Sequence, residues 1–214
     1  MSASRTIVYG AGGHGKVVAD MLLANCQSGF WGFVDDRADS AGTRVLGFPV
    51  LGNAEWLSHV ASMERICVAL GVGENRVRRK LAERCVAQGC EILTLVHPRA
   101  VISPSAALGA GSVVMAGAVV NPCARVGKGG IVNTGAVVEH DVVVEDYVHL
   151  SPNASLGGNA RVGEGSHIGL GATVLPGVTV GSFVTVGAGA VVTRNTPDKV
   201  VLVGIPARVL RPAI

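Results

Sequence analysis

Two hydrophobic periods divide the chain. Up to about Pro98, short apolar runs alternate with stretches whose apolar residues recur at helical spacing. "TIVYG" (6–10), "FWGFVDD" (30–36), "RICVALG" (65–71) and "EILTLVH" (91–97) read as strands, and "GFPVLG" (47–52) as a short extended piece. "HGKVVADMLLAN" (14–25) and "ENRVRRKLAERCVAQG" (74–89) read as helices, the second closed by Gly89. Such alternation predicts a small parallel sheet with helices packed on it, about half of a full dinucleotide-binding domain. From Ile102 the period becomes six. Sixteen consecutive hexads, from ISPSAA to VTRNTP, each begin with an aliphatic residue, and the fifth position is Ala, Ser, Val, Gly or Thr throughout. An ordinary sandwich would not hold that period for 96 residues. A branched residue at every sixth position fills the axis of a narrow prism, small residues fit beside it, and Gly or Asn takes the special backbone angles at corners, so the second part reads as a parallel β-helix. The predicted domains are residues 1–98 and 99–214.

Composition fits this division. Of 214 residues 30 are Gly, aromatics make up 4% and charged residues 15%, so the core must be built from small and β-branched side chains. A net charge of +3 is too mild to point to nucleic acid and suits a phosphate-bearing small molecule. No run of 18 apolar residues predicts a membrane span, and the N-terminus lacks the basic start and apolar stretch of a signal peptide. The five cysteines form no C-x-x-C pair, and reduced thiols in the cytoplasm are the simplest reading.

Gly10, Gly12 and Gly15 fit the G-x-G-x-x-G spacing of dinucleotide-binding loops, but no second nucleotide-binding half follows, so NAD is not expected. Asp35 and Asp36, at the end of the second strand, can accept hydrogen bonds from a base or sugar. Gly71 lies in the next strand-to-helix loop, where Arg76 or Arg78 could meet phosphate. In "VEHDV" (138–142) His140 stands between Glu139 and Asp141. Histidine titrates near neutrality, and a carboxylate on one ring nitrogen makes the other a better base. In an extended strand neighbours point to opposite faces, so at most one of the two acids would reach the ring easily.

With three hexads to a turn, residues 18 apart lie over one another. Gly158 then lies beside His140, His167 beside His149, and Pro152, Leu170 and Ala188 form one column. The stacked histidines invite a metal reading, but the spacing of a histidine-based zinc site is missing, and no metal is expected.

The segments "YGAGGHGKV" (9–17), "VDD" (34–36), "ALGVGENRVRRKL" (69–81), "HPRAVISPSA" (97–106), "VNTGAVVEHDVVVEDYVHLSPNASLGGN" (132–159) and "VLVGIPARVLR" (201–211) carry a resemblance over nearly the whole chain. The chain resembles left-handed β-helix acyltransferases, and closely the nucleotide-sugar acetyltransferase family that includes bacterial UDP-4-amino-sugar N-acetyltransferases and sialic acid O-acetyltransferases. The resemblance implies a small Rossmann-like α/β domain that binds the nucleotide sugar through Gly12, Gly13, His14, Asp35, Asp36 and Gly71. It implies a left-handed parallel β-helix with His140 as general base, Asp141 as the acid raising its basicity and Glu139 beside them. Acetyl-CoA would run along the prism at His149, Gly158, Leu170 and Ala188 towards Arg208, with Arg211 a further candidate for its phosphates. A cytoplasmic homotrimer acting on a UDP-linked 4-amino-4,6-dideoxy sugar by direct transfer is expected, since the motif has no cysteine near His140. O-acetylation of a sialic-acid-like sugar and a non-catalytic scaffold or sugar-nucleotide sensor are the alternatives.

Overall fold

The structure, a computed structural model, describes residues 5–26 and 29–213. It divides between Leu95 and Val96 into two compact units.

The first unit is built on β1 (Arg5–Tyr9), β2 (Phe30–Val34), β3 (Arg44–Val45), β4 (Phe48–Gly52), β5 (Ile66–Leu70) and β6 (Glu91–Ile92), in the order β3-β4-β2-β1-β5-β6. All pairs are parallel except the β3–β4 hairpin. Ile7, Val8, Val68 and Ala69 are completely buried, as the central strands of a sheet covered on both faces should be. Helix α1 (Gly13–Ala24) buries Val18, Ala19, Met21 and Leu22, and α3 (Asn75–Ala87) buries Leu81, Ala82 and Cys85. Between them, α2 (Ala54–Ala61) is an element the sequence reading passed over. Its start is marked by Asn53, whose Oδ1 accepts from the N–H groups of Glu55 and Trp56 at 3.1 Å each. Such a cap satisfies amides that the helix itself cannot. "EILTLVH" is not one strand either: Glu91–Ile92 closes this sheet, and pairing resumes at Leu95–Val96.

The second unit is a left-handed parallel β-helix. Two-residue strands stack into three sheets at a register of 18 residues, for example Val113 on Ile131, His149 and His167. Every sixth residue from Gly111 to Gly189 is left-handed, with φ between 56° and 74°. Glycine adopts this conformation freely, and Asn153, Asn159 and Asp141 belong to the polar types that tolerate it. The first and fifth hexad positions form one continuous core, with Ala136, Val138, Val142, Leu150, Ala154 and Leu156 fully buried. Burying a leucine such as Leu150 stabilises the prism by about 1.5–3 kcal/mol. The register shortens at the end, where Thr185 pairs with Val201, and Val200–Val203 then pairs antiparallel with Arg208–Pro212. No helix among the described residues is long and apolar enough to cross a membrane.

Candidate active site

A cavity of about 520 Å³ opens at the carboxyl ends of β1, β2 and β5, lined among others by Gly12, Gly13, His14, Asp35, Asp36 and Gly71. Crevices at this edge of a parallel sheet are the usual ligand position of α/β folds. The glycines divide the work. A β-carbon on Gly10 (φ +111°) would stand 2.7 Å from the Gly71 carbonyl oxygen, and one on Gly71 would stand 2.6 Å from Val8 Cγ1 and 2.9 Å from the Gly15 Cα. These three permit the close crossing of strand and helix. Gly12 and Gly13 instead face open space, and α1 begins at Gly12 without a side-chain cap. That leaves a helix N-terminus suited to an anionic ligand.

The acids are more committed to the protein than their sequence position suggests. Asp35 is 8% exposed. Its Oδ2 accepts from Ala11 N–H at 2.7 Å, and its Oδ1 accepts from Arg37 Nε at 2.8 Å and Arg37 N–H at 3.0 Å. Burial by itself would raise the Asp35 carboxyl, but these bonds and the Arg37 charge together hold it below its ordinary value. Asp36 accepts from the Tyr9 hydroxyl at 3.0 Å and from Ala54 N–H at 2.9 Å, and lies 3.4 Å from Arg84 Nη1. It ties β1, α2 and α3 together while lining the cavity. Burial, followed by the bond to Asp36, pushes the Tyr9 hydroxyl above its ordinary pKa. His14 is lowered to about 4, first by burial and then by the Arg78 charge, so the ring is neutral at pH 7.

Arg78 is not available to phosphate. It is fully buried, with Nη1 donating to the Gly73 carbonyl (2.9 Å) and Nη2 to Asn75 Oδ1 (2.9 Å), and so holds the loop that leads into α3. Arg76 is exposed and does not line the cavity. The cation on the wall is Arg37, which sequence reasoning missed although it directly follows the two acids.

In the β-helix, His140 and Asp141 form a corner rather than part of a strand, which ends at Val138. The alternation argument therefore does not apply. The left-handed backbone of Asp141 (φ 60°) brings its carboxylate to the ring, with His140 Nδ1 2.9 Å from Asp141 Oδ2. A carboxylate can only accept, so the proton of the neutral imidazole sits on Nδ1 and Nε2 carries the lone pair. Glu139 Oε2 accepts instead from the His140 backbone N–H at 3.3 Å. One coil further on, Gly158 is buried beneath the ring: a β-carbon there would meet His140 Nε2 at 2.5 Å. One coil back, Cys123 occupies the corresponding corner, the Asp141 N–H donating to the adjacent Pro122 carbonyl at 3.1 Å. A cysteine thus stands near the dyad, 18 residues away in sequence, contrary to the expectation from the motif alone.

His149 and His167 stack with ring centroids 4.8 Å apart and planes 6° from parallel. Asn133 Nδ2 donates to His149 Nε2 at 3.0 Å, and His167 Nε2 lies 2.7 Å from Ser151 Oγ. Pro152, Leu170 and Ala188 form one column, linked by Gly171 N–H to Pro152 O (3.0 Å) and Gly189 N–H to Leu170 O (2.8 Å), and Leu170 is 59% exposed. Arg208 and Arg211 are exposed. Arg208 lines a cavity of about 110 Å³ together with Arg194, Ala207 and Val209.

A small α/β unit with a ligand crevice, joined in one chain to a β-helix bearing a carboxylate-oriented histidine, is the architecture of a hexapeptide-repeat acyltransferase. Residues 5–85 match the PglD N-terminal domain. PerB from Caulobacter crescentus, solved in complex with CoA and GDP-perosamine, is 40% identical, with 97% of this chain and 98% of that one covered and a TM-score of 0.90. The acetyltransferase domain of PglB from Neisseria gonorrhoeae, solved with acetyl coenzyme A, is 44% identical over 97% of this chain and all of its own, with a TM-score of 0.89. UDP-N-acetylbacillosamine N-acetyltransferase from Bacillus subtilis is 40% identical over 110 residues, 48% of this chain and 47% of that relative, so the match spans about half of its length. The chain belongs to the hexapeptide-repeat family of nucleotide-sugar N-acetyltransferases.

Proposed function

We propose that the protein transfers the acetyl group of acetyl-CoA to the amine of a nucleotide-linked amino sugar, with a UDP-linked 4-amino-4,6-dideoxy sugar as first candidate. The observation that carries this reading is the His140–Asp141 pair with Nε2 set over Gly158. Asp141 fixes the tautomer. Nε2 takes a proton from the sugar amine as the nitrogen attacks the thioester carbon. Negative charge then collects on the former carbonyl oxygen, and preorganised N–H groups such as that of Gly158 suit its stabilisation. Collapse of the tetrahedral intermediate breaks the carbon–sulfur bond and releases CoA as the thiol. Glu139 supports the turn that carries His140.

In this account His149, Gly158, Leu170 and Ala188 follow the pantetheine arm, and Arg208 meets the phosphates at the nucleotide end. Gly12, Gly13, His14, Asp35, Asp36 and Gly71 surround the sugar nucleotide in residues 1–98, while residues 99–214 perform the transfer. That PerB was solved in complex with CoA and GDP-perosamine supports the two ligand classes. Exposed apolar side chains such as Leu170, Ile205 and Leu210 support packing of copies as a homotrimer. The free cysteines suit a cytoplasmic setting.

Thiol release from acetyl-CoA, measured against UDP-, GDP- and dTDP-linked 4-amino sugars and a sialic acid, tests the reading. Release with an amino sugar nucleotide and formation of an amide support it. An ester on the sialic acid identifies an O-acetyltransferase, and no release with any acceptor identifies a silent scaffold.

A further inference from the structure

The nucleotide cavity has an electrostatic problem. Its wall carries the carboxylates of Asp35 and Asp36 and a neutral His14, yet a nucleotide sugar brings a doubly charged diphosphate. Among the described residues that line it, Arg37 is the one permanent cation. Its side chain is 62% exposed and is gripped along one edge by Asp35, through Nε at 2.8 Å and Nη2 at 3.1 Å. That grip removes rotamer freedom without burying the charge. Arg37 also lines a second, smaller cavity of about 170 Å³ with Ala11, Asp39, Ser40 and Thr43. Asp35, by contrast, has both oxygens occupied by Ala11 and Arg37.

Building on the nucleotide-sugar reading, we propose that Arg37 is the diphosphate ligand of this cavity and that Asp35 is its positioning residue, not a ligand of base or sugar. A guanidinium held at one edge presents its remaining N–H groups in a fixed plane, the arrangement that suits paired phosphate oxygens. Helix α1 adds its N-terminal N–H groups, without a side-chain cap, to the lining of the same crevice. The carboxylate of Asp35 then serves the anion indirectly, by holding the cation.

Calorimetric titration of the full chain with UDP, GDP, dTDP and the corresponding nucleosides tests this. For the diphosphate that the parent binds, Arg37→Gln is expected to weaken binding about 10- to 100-fold, the range set by a charge-assisted bond, and to leave nucleoside affinity unchanged. Arg37→Lys should fall between the two. Asp35→Asn should lose about as much as Arg37→Gln, and the double variant little more than either, because both act on one contact. In turnover, the KM for the sugar nucleotide should rise in each variant and the KM for acetyl-CoA should not. Parent-like diphosphate binding by Arg37→Gln, or an equal loss for nucleoside and diphosphate, overturns the assignment. If Asp35→Asn does not fold, the exposed Arg37 variants decide alone. Failure of the parent to bind any of the three diphosphates overturns the nucleotide reading itself, and this one with it.

Discussion

Gly158 lies directly under the imidazole of His140, so that a β-carbon on the glycine would meet Nε2 at 2.5 Å and Cε1 at 2.6 Å. The left-handed corner of that coil belongs to its neighbour Asn159 (φ 59°), so Gly158 is required by the ring above it and not by its own backbone. Gly158→Ala should therefore tilt His140 away from Asp141 with little change in melting temperature, while turnover falls by about 10²-fold or more, as when a general base is misplaced. Gly158→Val should do so more completely. A stable, fully active Gly158→Ala would show that Nε2 is not the working atom.

His140→Ala should keep the fold and acetyl-CoA binding and lose about 10²–10⁴-fold in turnover. Asp141→Asn should lose less, since the ring remains but its tautomer is no longer imposed. Steady-state rates and acetyl-CoA titrations of both variants check this, and equal losses would mean that Asp141 does more than orient the ring.

Cys123, one coil from Asp141, gives direct transfer a sharp test. Cys123→Ala should retain most of the turnover, and intact-protein mass spectrometry during turnover should find no acetyl adduct. An adduct on the parent that disappears with Cys123→Ala would replace direct transfer by an acetyl-enzyme route.

His14 makes the stability of the first unit depend on pH. Its folded pKa is about 4 against an ordinary value near 6.5, so below 6.5 the unfolded chain takes up a proton that the folded chain refuses. Stability is complete above pH 6.5 and is lost as pH falls towards 4, by no more than about 3 kcal/mol. Urea melts of His14→Gln should show a flatter pH dependence across this window than the parent.

Much of this was legible in the sequence because the β-helix is one-dimensional. A period of six with three hexads to a turn fixes which residues stack, and so sets Gly158 by His140 and His167 by His149, as the structure has them. The left-handed corner at Asp141 was not foreseen. The corner falls at the fourth position of each hexad, where Gly, Asn and Asp tolerate positive φ, but reading 138–142 as a strand hid it: alternation limited the ring to one acid, and the choice of Asp141 came from the resemblance. In the first unit the cavity-lining residues were visible from strand ends and glycines. Arg78 was a phosphate candidate and is instead buried on backbone carbonyls, while the exposed Arg37 was not named, because an arginine's exposure depends on how the loops pack. Helix α2 escaped notice because it is short, and its signal was the Asn53 cap alone.

The proposed reaction is N-acetylation of a sugar nucleotide with His140 as general base. Its most direct test is a single reaction mixture of parent or His140→Asn chain, acetyl-CoA and a UDP-linked 4-amino-4,6-dideoxy sugar, read by free thiol and by product mass. One thiol per acetylated sugar nucleotide is expected with the parent, and a rate lower by about 10²–10⁴-fold with His140→Asn. Unchanged turnover in the variant, or thiol release without an acetylated sugar nucleotide, would contradict it.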